Sequence, residues 1–268
     1  LKFNIMNTLK VVDYIVKWLK DYAENSKMNG FVIGVSGGID SAVSSMLCAK
    51  TGFPVICVEM PIHQAENQVT RAKQHIENLK KRFPNVRSTF FDLTNVFDTF
   101  KNQDVWNNDN PQLNLSLANT RARLRMTTLY YFAGLNNHLV AGTGNKVEDF
   151  GIGFYTKYGD GGVDLSPIAD LMKSEVYAIG KFLEVHKSIL IAAPTDGLFG
   201  DHRTDEDQIG ASYDELEWAM KMNDLEKSSE DFEGREKIVF DLFLKLNNTN
   251  KHKMIPIPIC KIPKDLLS

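Results

Sequence analysis

Four short apolar runs, separated by helical patterns, constrain the fold of this chain more than any other feature. Each run reads as a strand, and the four lie at 31–35, 55–58, 88–91 and 138–141. Helical patterns occupy 7–25, 42–50, 65–83 and 115–135. This alternation predicts an α/β fold, a doubly wound and mostly parallel sheet of Rossmann-like type with helices on both faces. The runs are continuous rather than alternating, which is typical of strands buried on both sides.

Length and composition set further bounds. The chain has 268 residues, of which 43% are hydrophobic and 24% charged, so it can bury a core without disulfides. From residue 173 onward we expect helices without strands, ending in an extended proline-rich stretch at 254–263. We expect 1–268 to form a single domain.

Charge and cysteine usage disfavour several classes of partner and location. The net charge of -3 disfavours nucleic acid as a partner. No apolar run approaches the roughly 20 residues that span a bilayer, so we expect no membrane partner. Cys48, Cys57 and Cys260 form no CxxC pair, and the N-terminus shows no secretory signal. These features favour a reducing, cytoplasmic location.

A glycine-rich turn lies between the first strand and the next helix. It contains Gly34, Val35, Ser36, Gly37, Gly38, Ile39, Asp40 and Ser41. Backbone N–H groups at a helix N-terminus suit phosphate, and the paired glycines allow close approach of its oxygens. A carboxylate beside phosphates needs a cation between them, and Mg²⁺ is the usual one. The turn therefore predicts a phosphate site with Asp40 as a metal ligand.

The residue types and spacing of this turn also permit other interpretations. It could be a tight strand–helix turn capped by serine. It also fits the G-x-S-x-G elbow of serine hydrolases, with Ser36 as the nucleophile. A non-catalytic nucleotide-binding module is a further alternative. The turn is not a Walker A loop, because no Gly-Lys-Ser/Thr follows its glycines at the required spacing.

The segment 36–41, SGGIDS, resembles the SGGxDS signature of ATP pyrophosphatases of the PP-loop type. Two later segments, GTGNKVE at 142–148 and TKYGDGGVD at 156–164, resemble signatures of the NAD synthetase family. Further matches follow in the expected order, at 119–125, 193–195 and 252–253. The resemblance covers about residues 9 to 253. It implies an adenine nucleotide alpha hydrolase-like fold. Another adenylating enzyme of the same superfamily is the alternative.

The resemblance implies a reaction and its participants. Deamido-NAD (nicotinic acid adenine dinucleotide) is activated by ATP to an acyl-adenylate, with release of pyrophosphate. Ammonia then displaces AMP and gives NAD, the final step of NAD biosynthesis. The segment before the first strand is too short for a glutaminase domain, so we expect free ammonia or a separate donor. The family also implies a homodimer, and the 115–135 helix is our candidate for the contact.

Residue roles follow from the resemblance by position. The turn 34–41 would cradle the ATP phosphates, and Asp40 and Glu148 would hold Mg²⁺. Thr143, Lys173 and Thr195 would contact ATP. Asp40, Lys173 and Asp164 are the predicted catalytic residues. The predicted deamido-NAD contacts are Arg123, Lys157, Asp164, His252 and Lys253.

Most of these residues also have an ordinary structural interpretation. Glu148, Asp149 and Asp160 alone would be loop or turn acids. Helical spacing places Arg121 and Arg125 on one side of their helix and Arg123 on the opposite side. The segment 196–208, rich in Asp and Gly, predicts by itself a loop of low local stability. The family resemblance implies that this loop is a mobile lid, whose closure would exclude water from the acyl-adenylate.

Overall fold

A parallel four-stranded sheet forms the centre of the computed structural model, which describes residues 6–103, 110–195 and 204–267. Its strands lie in the order β3-β2-β1-β4, with ranges β1 (Phe31–Gly34), β2 (Val55–Glu59), β3 (Val86–Phe90) and β4 (Leu139–Val140). A parallel bridge between Ala141 and Leu165 continues the edge beyond β4. The predicted α/β class and parallel pairing are confirmed.

Helices cover the sheet and form the C-terminal region. Before β4 they are α1 (Thr8–Asn25), α2 (Ile39–Lys50), α3 (Glu66–Arg82), α4 (Thr94–Asn102) and α5 (Leu113–Asn136). A π-helical turn follows at Val147–Ile152. The later helices are α6 (Lys173–Phe182), α7 (Lys187–Leu190), α8 (Asp205–Ile209), α9 (Tyr213–Asp224) and α10 (Gly234–Met254), with 3₁₀ turns at Ser229–Asp231 and Lys264–Leu266.

Side-chain alternation along the strands divides the core between the two faces of the sheet. Phe31 and Ile33 of β1 pack into one cluster with residues of α1, α2, α3 and α6. Val32, between them, packs on the opposite face with residues of α4 and α5. Each strand is therefore buried on both sides, which explains its continuous apolar sequence. The strand β3 is the exception, because it lies at the sheet edge and is only partly buried.

The order of the strands places a crevice beside β1. The chain winds from β1 through β2 to β3 with α2 and α3 on one face, then returns by α5 on the other face to β4. The direction of winding therefore reverses at β1. Ligands of open α/β sheets bind beyond the carboxyl ends of the strands at such a point. The glycine-rich turn that follows β1 lies at this position.

A separate apolar cluster joins the C-terminal helices to the π-helical turn. Val147 and Ile152 of the turn pack against Leu216 of α9 and Phe240 and Phe243 of α10. The helical C-terminal region is thus confirmed, and its packing fixes the segment that carries Glu148.

Some element boundaries differ from expectation. The helix α2 begins at Ile39 rather than residue 42, so Asp40 lies in its first turn. The helix α4 was not predicted; it begins after Asp92, whose carboxylate accepts a hydrogen bond from the Thr94 amide at 2.8 Å. Residues 255–263 are exposed and have no regular structure, as predicted. Of the predicted lid, 196–203 lies outside the described residues.

Among the described residues, no helix combines the length and apolar character needed to cross a membrane.

Candidate active site

Serine hydroxyls brace the turn after β1 from within. The Ser36 amide donates to Ser41 Oγ at 3.2 Å, and Ser41 Oγ lies 3.1 Å from the Gly38 carbonyl oxygen. The Gly38 amide donates to Ser36 Oγ at 3.3 Å. Gly38 is the N-cap of α2 and makes no side-chain cap, so amides at the start of this helix remain available to an anionic ligand.

Gly37 lies where the turn touches α3. Its φ is +84°, in the left-handed region that favours glycine. A Cβ atom there would lie 2.7 Å from the backbone oxygen of Gln68 and 3.0 Å from the amide nitrogen of Ala72. Arg71 Nε donates to the Gly37 carbonyl oxygen at 3.3 Å. The sequence needs glycine here because α3 supports the turn by direct backbone contact.

Three charged side chains converge beside this turn. Lys173 Nζ, at the start of α6, donates to Asp40 Oδ2 at 2.7 Å and to Glu148 Oε1 at 2.9 Å. The lysine side chain is 3% exposed, and the two carboxylates are 19% and 16% exposed. A positive charge is therefore held between two largely buried carboxylates that come from different elements.

The charges alter one another's ionisation. Burial opposes charge on Lys173, but Asp40 and Glu148 outweigh it and raise the pKa of the lysine above its usual value. Burial also opposes charge on Glu148, yet Lys173 and the Tyr213 hydroxyl lower the pKa of that carboxyl. Burial raises the pKa of Asp40 against the attraction of Lys173. Lys173 remains a cation throughout the physiological pH range.

The Asn145 side chain links the Asp40 carboxylate to the backbone amide of Glu148. Its Nδ2 donates to Asp40 Oδ1 at 3.2 Å, and its Oδ1 accepts from the Glu148 amide at 3.1 Å. Asn145 is fully buried, so both side-chain atoms find their partners within the protein. Glu148 itself lies in the π-helical turn, a rare type of helix that is frequent at functional sites.

A cavity of about 290 Å³ opens over this group of charges. The predicted ATP-binding residues line it, with the exception of Gly37, and the predicted metal ligand Glu148 lines it too. Val58, Met60 and Phe90 supply apolar wall at the strand ends. The structure therefore brings these predicted residues together around one space.

The predicted deamido-NAD residues form a different group. Arg123 donates to the Lys157 carbonyl oxygen at 3.3 Å, and Lys157 Nζ donates to the His252 carbonyl oxygen at 2.9 Å. Lys253 Nζ donates to the carbonyl oxygens of Gly153 and Tyr155. These four residues are adjacent to one another, but they do not line the cavity.

Asp164 lies apart from that group. Its Oδ1 accepts from the Tyr130 hydroxyl at 3.0 Å, and its Oδ2 accepts from the Val140 amide at 2.8 Å. The carboxylate is thus oriented by the end of β4 and by α5. It is exposed, and it does not line the cavity beside Lys173.

The three arginines of α5 point in the directions that helical spacing predicts, Arg121 and Arg125 to one side and Arg123 to the other. Arg121 stacks on the ring of Phe97 at 4.1 Å, and Arg125 Nε donates to the Met60 carbonyl oxygen at 3.0 Å. Both therefore point towards the β2–α4 side, whereas Arg123 points towards the loop that carries Lys157.

Sequence patterns missed several residues around the cavity. Arg71, Arg125 and Asp205 line it, and so do Asp149 and Asp160, which the sequence alone predicts to be ordinary loop or turn acids. Burial, together with the charges of Glu148 and Asp160, raises the pKa of Asp149 well above its usual value. The only short-range signal near Asp205 is the capping pattern of α8, which predicts a helix start rather than a site.

Ser36 has no hydrolase-like partner among the described residues. Its hydroxyl contacts Ser41 Oγ at 3.1 Å and the Gly38 amide, and no histidine is hydrogen-bonded to it. The hydroxyl therefore belongs to the turn itself, and a Ser–His nucleophile is not assembled here.

The donor set fits one hard divalent cation together with substrate oxygens. Asp40 and Glu148 converge on a single positive group, so a cation is electrostatically favoured between them. Within the described part of the chain, no cluster of three or more acidic, histidine or cysteine side chains could hold a metal. Two carboxylates completed by phosphate oxygens and water is the usual coordination of Mg²⁺ in nucleotide enzymes.

The fold and the site are those of an α/β protein that binds its ligand at the switch point of a parallel sheet, beside a helix N-terminus that suits phosphate. The chain matches the family described as NAD synthase over residues 11–256. It therefore belongs to the NAD synthase family of carbon–nitrogen ligases, which confirms the family resemblance.

Individual relatives agree with this assignment. The chain is 38% identical to the NH(3)-dependent NAD(+) synthetase of Mesoplasma florum, over 79% of this chain and 84% of that one. The structure of NMN synthetase from Francisella tularensis is similar, with TM-score 0.82 and 31% identity over 96% of this chain and 100% of the other. An NH3-dependent NAD synthetase from Campylobacter jejuni gives TM-score 0.76 and 26% identity over the same shares.

Proposed function

We propose that this protein uses ATP and ammonia to convert the nicotinate carboxylate of deamido-NAD into the carboxamide of NAD. The observation that carries the proposal is the convergence of Lys173, Asp40 and Glu148 beside a phosphate-type turn. That arrangement suits triphosphate rather than a neutral ligand. Relatives named for ammonia-dependent NAD synthesis match along most of the chain and supply the substrate class.

The turn 34–41 would hold the phosphates through backbone amides, with Ser36 and Ser41 keeping those amides in place. Asp40 and Glu148 would hold Mg²⁺, which when bound would offset the charge of the phosphates. Lys173 would neutralise phosphate oxygens. Thr143 and Thr195, which both line the cavity, would contact the remainder of ATP.

Deamido-NAD would be held by Arg123, Lys157, His252 and Lys253, with Asp164 orienting it from the β4 side. A nicotinate carboxylate oxygen would attack the α-phosphorus of ATP, and the bond to the β-phosphate oxygen would break to release pyrophosphate. Ammonia would then attack the acyl carbon, lose a proton to solvent and expel AMP. The chain's residues act chiefly by positioning and by charge compensation.

A second substrate has a specific observation in its favour. The similar structure from Francisella tularensis is described as an NMN synthetase, and the chain covers all of it. The corresponding reaction would amidate nicotinic acid mononucleotide with the same adenylation chemistry. The mononucleotide acceptor differs from deamido-NAD only in lacking the adenylate half.

One coupled assay tests both possibilities. Purified protein is given ATP, Mg²⁺ and ammonium chloride with either deamido-NAD or the mononucleotide, and amide product, AMP and pyrophosphate are measured together. Equal yields of all three, dependent on ammonium and Mg²⁺, support the proposal, and the ratio of kcat/KM for the two acceptors identifies the substrate. Absence of pyrophosphate with both acceptors would refute it.

A homodimer, free ammonia as the nitrogen source, a single domain and a cytoplasmic location stay predictions. Leu115, Tyr131 and Leu135 on α5 are exposed apolar side chains. They support the dimer, since α5 is the predicted contact helix and exposed apolar surface often marks an interface.

A further inference from the structure

The helix α9 supports the charged group from outside the cavity. Tyr213 and Glu217 are one helical turn apart and therefore lie on the same face of α9. Neither residue lines the cavity. Tyr213 reaches Glu148, and Glu217 reaches Ser174, the residue after Lys173. One face of α9 thus contacts two of the three segments that supply charge to the site, those of Glu148 and Lys173.

The contact between Tyr213 and Glu148 is short and specific. The phenol donates to Glu148 Oε1 at 2.6 Å, and this is the oxygen that also accepts from Lys173 Nζ at 2.9 Å. Lys173 Nζ lies 4.7 Å from the centre of the Tyr213 ring. The hydroxyl is 3.3 Å from Asp205 Oδ2, so its single proton is better placed for Glu148.

The position of Tyr213 is itself fixed. It is the first residue of α9, whose start is held by a reciprocal capping box between Ser212 and Glu215. Its amide donates to Glu206 Oε1 at 2.9 Å, and the residue is 6% exposed. A buried phenol held this firmly restricts the rotation of the carboxylate that it contacts, because loss of the bond would leave a buried polar group unsatisfied.

We propose that Tyr213 is a positioning residue that holds Glu148 in the orientation needed to bind the metal ion of the reaction. This proposal rests on the proposed function, which assigns the metal to Asp40 and Glu148. Glu217 complements it by accepting from the Ser174 amide at 2.8 Å and from Ser174 Oγ at 2.7 Å, which fixes the first turn of α6.

The test is Tyr213→Phe, which removes one oxygen and keeps the ring against Lys173. Binding of Mn²⁺, as a substitute for Mg²⁺, is measured by electron paramagnetic resonance in the presence of the non-cleavable analogue α,β-methylene-ATP. We expect the dissociation constant of Mn²⁺ to rise about tenfold, the size of one lost hydrogen bond to a charged acceptor. A dissociation constant within twofold of the wild-type value would overturn the proposal.

The matched control is Tyr22→Phe, the same chemical change at a half-exposed position of α1. It should leave Mn²⁺ binding unchanged. In steady-state assays Tyr213→Phe should raise the Mg²⁺ concentration needed for half-maximal rate and leave the KM for the nicotinate substrate unaltered. A loss of thermal stability with unchanged Mn²⁺ affinity would show a packing role only and overturn the proposal.

A double-mutant cycle tests whether the effect passes through Glu148. Glu148→Asp keeps the charge but withdraws the carboxylate by one methylene, so the phenol no longer reaches it. In that background Tyr213→Phe should weaken Mn²⁺ binding by less than twofold, whereas additive effects would contradict the proposal. If wild-type protein fails to bind Mn²⁺ with the ATP analogue, the proposed function fails instead, which separates the two results.

Discussion

Lys173 occupies the position between two carboxylates that a metal ion would also favour. Its ammonium group contacts both acids and offsets part of their negative charge, which lowers the cost of burying two adjacent carboxylates. Under the proposed function, a divalent cation would compete with the lysine for this negative charge until ATP phosphates offered the lysine another partner.

Lys173→Met should expose that competition. Removing the charge leaves Asp40 and Glu148 repelling each other, so we expect the free energy of unfolding to fall by about 3 kcal/mol without metal. Millimolar Mg²⁺ should restore part of it, raising the melting temperature more than in wild-type protein. Thermal unfolding with and without Mg²⁺ provides the measurement.

The control is Lys146→Met, which breaks a pair with Asp170, a side chain that is 97% exposed. We expect a change below about 0.5 kcal/mol and no dependence on Mg²⁺. Equal responses of the two variants to Mg²⁺ would argue against competition at Lys173.

Gly37 offers a second prediction at the residue scale, because it combines a left-handed conformation with contact to α3. Gly37→Ala should prevent binding of ATP, measured by calorimetry, since the turn must shift away from the Gln68 carbonyl. Gly52→Ala is the control: its φ is +82°, but no atom lies within 4 Å of the added Cβ. That variant should lose about 1 kcal/mol of stability and keep ATP affinity.

At the scale of elements, sequence patterns predicted most strands and helices because strand burial and helix periodicity are local properties. The glycine-rich turn 34–41 and the residues 142–148 were likewise recognisable as contiguous motifs. The roles of Tyr213 and Glu217 were not, because their contacts join segments up to 65 residues apart in the chain. The pattern Ser212-x-x-Glu215 predicts the start of α9, but it does not indicate which carboxylate the helix will contact in the folded protein.

The pairing of α2 with α3 predicts a pH dependence of stability. Ser45 Oγ lies 2.9 Å from His75 Nε2 inside the core. Burial, aided by the charge of Arg82, lowers the pKa of His75 to about 4 from an ordinary 6.5. Between these values the unfolded chain binds more protons than the folded one, so stability falls as the pH falls through this window and is unaffected above it.

Chemical denaturation of wild-type protein and His75→Gln at pH 7 and pH 5.5 measures this effect. The wild-type free energy of unfolding should fall by about 1 kcal/mol more than that of the glutamine variant, which has no proton to gain at this position. Parallel pH dependences would show that His75 is not responsible.

At the scale of the whole molecule, the apolar side chains left on α5 predict self-association. Leu135 is 65% exposed and Tyr131 is 57% exposed, both near the C-terminal end of the helix. Sedimentation equilibrium should give twice the chain mass of 30.3 kDa for wild-type protein and the single-chain mass for Leu135→Glu. Leu225→Glu, at a residue 61% exposed after α9, should stay dimeric. A wild-type monomer would refute the prediction.

The support that α9 gives to Glu148 and Lys173 has a consequence for synthesis on the ribosome. The sheet, the glycine-rich turn and all three charged residues of the site are encoded before residue 174, but the side chains that contact Glu148 and the start of α6 lie at 213 and 217. A nascent chain that has emerged only through α6 has the strands needed to fold but lacks this support for Glu148 and Lys173. Nucleotide and metal binding should therefore arise late, when α9 leaves the exit tunnel, rather than gradually as the sheet assembles.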